Sequence, residues 1–259
     1  MKKNNENNRR SFIKSLSVSA CLLSGIPATL AAVPEEKALP GVPLKKDDII
    51  LFQGDSITDW HRKTDITTSN DSEGMGSGYA LLTAAALLDK HPEKNLQIFN
   101  RGISGNGIKN LAARWDNDCL SLKPNVLSIL IGVNDFSMKL RDSHSGNATT
   151  FREAYQQLLD RTMAALPEVK LIIAEPFAIK GLFHVNDSWF PAFDEYRHVA
   201  KELAEKYNAA FIPLQHIFEK AQQKAPASYW SGDGIHTTLA GAKLMANAWQ
   251  EVFKPARKH

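Results

Sequence analysis

The chain has 259 residues, of which 43% are hydrophobic and 23% charged. That suffices for one large domain with a sizeable core and excludes a low-complexity chain. The formal net charge is +3, but residues 1–32 carry five basic side chains against one acidic, leaving −1 for the rest. The clustered positive field that nucleic-acid binding needs is missing from that remainder, so no nucleic-acid partner is expected.

Residues 1–32 start polar and basic, continue with Arg9-Arg10-Ser11-Phe12-Ile13-Lys14, and end in a weakly apolar stretch from Leu16 to Ala32. The pattern resembles a Tat-type export signal and is set aside from fold reasoning. It predicts an exported protein, periplasmic or extracellular, cleaved near Ala31 or Ala32. Val18-Ser19-Ala20-Cys21 offers the rival reading of lipidation at Cys21, against which the apolar run continues through Leu22-Leu23. Gly25 and Pro27 interrupt that run, which is too short to predict stable membrane insertion. Val33 to Lys46, with three prolines, reads as a linker, and residues 47–259 as one domain. With the signal removed, Cys119 is the remaining cysteine, so no intrachain disulfide is expected; a buried, inert thiol is the expected role.

Within the domain, short apolar runs alternate with helical patterns. Strands are predicted at Ile49–Gln53, Leu96–Asn100, Val126–Ile131, Val169–Ala174 and Ala210–Pro213. Helices are predicted at Gly78–Lys90, Ile108–Leu120, Thr150–Leu166, Phe193–Tyr207 and Leu239–Phe253. Strand–helix alternation calls for a parallel sheet covered on both faces, and five strands suggest a flavodoxin-like three-layer α/β/α sandwich.

Gly54-Asp55-Ser56-Ile57-Thr58 follows the first strand. A serine at such a turn can raise its hydroxyl above the sheet edge, where backbone N–H groups face an incoming anion. Asn100-Arg101-Gly102-Ile103-Ser104-Gly105 and Gly132-Val133-Asn134-Asp135 end the second and third strands. Several strand ends delivering polar groups to one edge is how open parallel sheets build sites. Asp233-Gly234-Ile235-His236 puts a carboxylate three residues before an imidazole, so one ring nitrogen can meet the acid while the other faces the serine. Ser56 is then the candidate nucleophile, His236 its base and Asp233 the acid that orients the ring. Taken singly, each has a plainer role: Gly-Asp-Ser as a turn, His236 as a surface histidine, Gly102 as a turn glycine and Asn134 as a helix cap. Four such blocks in order favour chemistry. Asp55 and Asp59 are read as structural. Arg101, Trp60, Trp189 and Trp230 suit either a sugar-binding surface or partial core. The eight histidines show no ligand spacing, so neither a metal nor a cofactor is expected.

The four blocks resemble those of the SGNH hydrolases, also called GDSL esterases and lipases, with Ser56, Gly102, Asn134 and His236 at the name-giving positions. Phe52 to Asp59, Gly76-Ser77-Gly78-Tyr79, Arg101 to Asn106 and Ala113-Arg114-Trp115 are similar to the acetylxylan esterases of that group. The likeness runs from about Ile49 to Phe253; Thr237 departs from the commoner proline after His236 and leaves the triad intact. The resemblance implies an α/β/α fold and an oxyanion hole built from the Ser56 N–H, the Gly102 N–H and the Asn134 side-chain amide. It further implies a secreted serine esterase clearing acetyl or other small acyl groups from a carbohydrate such as xylan, and leaves room for a homo-oligomer. A lipase, lysophospholipase or thioesterase with the same triad is the alternative. It needs an apolar trench, whereas Lys63-Thr64-Asp65 and Thr67 to Asp71 are polar. A non-enzymatic carbohydrate-binding protein would not require Ser56, Asp233 and His236 together.

Overall fold

The computed structural model describes residues 41–142 and 146–254. The expected export signal, Cys21 and the first part of the linker lie outside the described residues. In chain order the helices are α1 (Ser56–Asp59), α2 (Ser72–Met75), α3 (Tyr79–Lys90), α4 (Ile108–Asp118), α5 (Val133–Arg141) and α6 (Ala148–Ala165). They continue with α7 (Ala192–Lys206), α8 (Leu214–Gln222), α9 (Ala227–Trp230) and α10 (Leu239–Val252).

Five strands, β1 (Ile49–Gly54), β2 (Gln97–Asn100), β3 (Val126–Leu130), β4 (Lys170–Ala174) and β5 (Ala210–Ile212), form one parallel sheet in the order β2-β1-β3-β4-β5. This is the flavodoxin-like order, and the three-layer α/β/α expectation holds. Every residue of β3 is buried, as are Ile50 to Gly54 of β1. Helices on both faces exclude water, so these strands read as near-continuous apolar runs rather than alternating ones, with Gln53 and Ser128 as buried polar exceptions. Helices α3 and α10 pack together in one layer, and α4, α6 and α7 in the other. Polar anchors tie the layers: Trp249 Nε1 donates to Ser128 Oγ at 2.8 Å, and Trp115 Nε1 to Thr162 Oγ1 at 2.9 Å. The end of the expected linker lies against the domain. Val42 is buried and donates its N–H to the Val252 carbonyl.

Strand order reverses between β1 and β3, which defines the crevice where doubly wound sheets take ligands. Ser56 follows β1 and Asn134 follows β3, on either side of that reversal, while Gly102 follows β2.

Candidate active site

Glycine is required where β1 ends. A Cβ on Gly54 would stand 2.3 Å from Thr58 Oγ1 and 2.5 Å from the Leu130 carbonyl oxygen. Asp55 then caps α1: its Oδ1 accepts from the Ile57 N–H at 2.9 Å, and its carbonyl from those of Thr58 and Asp59. Ser56 becomes the first helical residue, whose N–H has no helical acceptor. That N–H has no partner among the described residues. Thr58 Oγ1 lies 2.9 Å from Tyr79 OH, and Tyr79 packs on Trp249 at 4.4 Å, so the helix under the serine is fastened to the core.

Ser56 Oγ lies 2.8 Å from His236 Nε2, and His236 Nδ1 lies 2.7 Å from Asp233 Oδ2. The other carboxylate oxygen of Asp233 accepts from the backbone N–H groups of Ile235 and His236 at 2.8 and 2.7 Å. The structure thus brings together the three residues that the sequence singles out, from positions 180 apart in the chain. Partial burial alone would raise the Asp233 carboxyl. The hydrogen bonds from the His236 ring and from the two backbone N–H groups outweigh it and hold the group below its ordinary value. The loop is buttressed from residues 179–185: the N–H groups of Ile179 and His184 donate to the carbonyls of Gly234 and Asp233.

The expectation for Gly102 is corrected. Its N–H is buried and donates to Asn100 Oδ1 at 2.9 Å, so it is not free to receive an oxyanion. Gly105, three residues on, was not singled out. It is exposed, has φ +79°, and its N–H is without a partner among the described residues. The signal that could have found it is the second glycine of the block, placed where only glycine readily takes a left-handed turn. Asn134 Nδ2 donates one hydrogen to the carbonyl of the neighbouring Asn106 at 3.0 Å, leaving its second N–H to spare. Ser104 donates its N–H to Asp59 Oδ2 and its hydroxyl to the same oxygen, pinning this loop beside α1.

Two further arginines hold the same loop. Arg114 reaches Asn106 Oδ1 at 2.9 Å and the Arg101 carbonyl at 2.8 Å, and buried Arg62 donates its Nε to the Gly102 carbonyl at 2.7 Å. Of the four residues that suit either a sugar-binding surface or partial core, Arg101 and Trp189 are buried. Arg101 donates to the Thr67 carbonyl, and Trp189 packs on Phe136 and Phe193. Half-buried Trp230 donates to the Ala225 carbonyl. Trp60 packs against the ring of His236. Cys119 is buried, its thiol pushed up to about 12 by desolvation. Among the described residues no cluster of His, Cys, Asp and Glu could hold a metal ion.

Asp55 is fully buried and its Oδ2 has no partner among the described residues. Burial pushes its carboxyl up to about 7, with the Ile57 N–H opposing and the charge of Asp135 adding to the rise. Because this lies above the ordinary 3.8, the folded state favours the protonated acid, and stability drains away as pH climbs from about 4 to about 7. Asp55→Asn removes that dependence. In urea unfolding its stability relative to the unmodified protein should improve across this window, by as much as about 1.4 kcal/mol per pH unit. A difference that is flat with pH would show that Asp55 is charged throughout.

A parallel α/β/α sheet carrying a serine, histidine and aspartate joined by hydrogen bonds at its switch point has the architecture of a serine hydrolase. Residues 52–244 match the GDSL-like lipase/acylhydrolase family, and the chain belongs to it, as an esterase. An acetylxylan esterase of Geobacillus stearothermophilus is 31% identical over 206 residues, covering 77% of this chain and 91% of that protein. The crystal structure of Axe2, an acetylxylan esterase from the same organism, superposes with TM-score 0.73 at 27% identity, over 83% of this chain and 98% of that one. A Parabacteroides merdae structure described as a GDSL-like lipase reaches TM-score 0.81 at 45% identity, over 83% and 99% of the two chains. For Axe2, alanine replacements of a serine, an aspartate and the histidine three residues after it are described as catalytic mutants.

Proposed function

We propose that this protein is an exported serine esterase that removes small acyl groups, acetyl foremost, from a glycan such as xylan. The observation that carries it is the continuous link from Ser56 Oγ through the His236 ring to Asp233, at 2.8 and 2.7 Å. His236 Nε2 takes the serine proton as Oγ attacks the ester carbonyl, and Asp233 holds the imidazolium. The oxyanion is received by the N–H groups of Ser56 and Gly105 and by the side-chain amide of Asn134, donors worth roughly 3–4 kcal/mol each in comparable hydrolases. Collapse breaks the bond from the acyl carbon to the sugar oxygen, which takes the proton from Nε2 and leaves as a hydroxyl, and an acyl-serine remains. Water repeats the attack, its proton passing to Nε2 and then to Ser56 Oγ as the bond from the acyl carbon to Oγ breaks, and the carboxylic acid is released. Support for the glycan comes from the Geobacillus relatives, and for export from Arg9-Arg10 and the apolar stretch behind them.

Acyl-chain length separates this reading from a lipase-like one. Each methylene buried in an apolar trench adds about 0.8 kcal/mol. The exposed side chains after Trp60, among them His61, Lys63, Thr64 and Asp65, are polar, and Met75 is buried in the core. Exposed Phe183, beside His184 on the loop under Asp233, is a single phenyl ring and makes no trench. We expect kcat/KM to fall from p-nitrophenyl acetate to the octanoate, and acetate to be released from acetylated xylan. A steady rise with chain length would move the substrate to lipids while leaving the Ser56 chemistry in place.

A further inference from the structure

Trp60 holds a backbone conformation that a bulky aromatic residue seldom adopts. Its φ is +35° and ψ 62°, and His61 behind it is also left-handed at φ 62°. Strain of this kind persists where the surroundings enforce it, and it gathers at functional sites. Here the enforcement is visible. The Trp60 N–H donates to the Ser56 carbonyl at 3.0 Å, and its own carbonyl accepts from the N–H and the hydroxyl of Ser77. Gly78 leaves the room: a Cβ there would come within 2.8 Å of Trp60 Cβ. The outcome is an indole packed beside the His236 imidazole, ring centres 5.5 Å apart and planes tilted by 34°.

Asp233 fixes one edge of His236 through Nδ1 and the backbone N–H. Those bonds leave the ring free to rock about the line joining Nδ1 to the carboxylate. We propose that Trp60 is a positioning residue for His236. Its indole, packed against the imidazole, confines that rocking so that Nε2 stays aimed at Ser56, and its π-system favours the imidazolium formed when Nε2 takes the serine proton. Because the Trp60 backbone is bonded to the Ser56 carbonyl, nucleophile and base are kept in register by one residue. The inference rests on the Ser56–His236–Asp233 reading above.

The test measures kcat and KM on p-nitrophenyl acetate, which carries no sugar, together with Tm. Trp60→Leu should lower kcat about tenfold with KM changed less than about twofold, and Trp60→Phe should recover most of the loss. In a His236→Ala background, Trp60→Leu should leave the residual rate unchanged. Where Trp60→Leu does not fold, Trp60→Met is read in the same way. Wild-type kcat in Trp60→Leu, a change confined to KM, or a further loss without His236 would each overturn the proposal. Failure of the underlying mechanism shows differently, as a His236→Ala variant with undiminished activity.

Discussion

Ser56→Ala is expected to lose esterase activity by at least about ten-thousandfold in kcat, with Tm held within about 2 °C of the unmodified protein. The hydroxyl stands at the first position of α1 and its hydrogen-bond partner is His236 Nε2, so its removal strips the nucleophile and leaves no buried donor stranded. The fold around it is secured by other groups: Asp55 caps the helix, Thr58 is tied to Tyr79, and Gly54 permits the close approach of β3. Steady-state hydrolysis of p-nitrophenyl acetate and a thermal melt measure both halves. A variant with ordinary turnover and an unchanged melt would remove Ser56 from the chemistry.

Strands and site residues were legible for different reasons. Strands buried on both faces are near-continuous apolar runs, broken in β3 only by the hydrogen-bonded Ser128, and that is why Ile49 to Phe52 and Val126 to Ile131 announce themselves. The long helices α3, α6, α7 and α10 bury one face and betray their period. Helices α1, α2 and α9 have four residues each, less than two turns, and no pattern can accumulate over that length. Helix α5 was hidden by the motif it carries, since Asn134 and Asp135 stand in its first turn. Asp233 and His236 were readable from their three-residue spacing and Ser56 from its place at a strand end, whereas Asn134 was readable from the resemblance of its block. Gly102 and Gly105 were not distinguishable that way. What separates them is the Asn100 carboxamide accepting from the Gly102 N–H, while the Gly105 N–H is without a partner among the described residues, a tertiary fact with no local imprint. The burial of Arg101 and Trp189 is of the same kind, because both types of residue serve equally on a surface and inside.

Asp233→Asn is expected to cost about ten-thousandfold in kcat while leaving a measurable remainder over the uncatalysed reaction. The asparagine is nearly the same shape, and its carbonyl oxygen can still accept from the Ile235 and His236 N–H groups, so the loop keeps its course. Its NH2, however, then faces His236 Nδ1 and donates where the carboxylate accepted. Nδ1 must turn acceptor, the proton moves to Nε2, and a protonated Nε2 cannot take the hydrogen of Ser56. The remainder comes from the oxyanion donors, which this change does not touch. Asp55 is the contrasting carboxylate, since it is buried and its Oδ1 is engaged by the Ile57 N–H of the nucleophile helix, away from the imidazole. His184 Nδ1, 3.7 Å from Asp233 Oδ2, is too far for a hydrogen bond and offers no replacement for the lost charge. Pre-steady-state and steady-state turnover of p-nitrophenyl acetate by Asp233→Asn decides the matter. Full activity in that variant would take the acid's role from Asp233 and require another group to set the tautomer of His236.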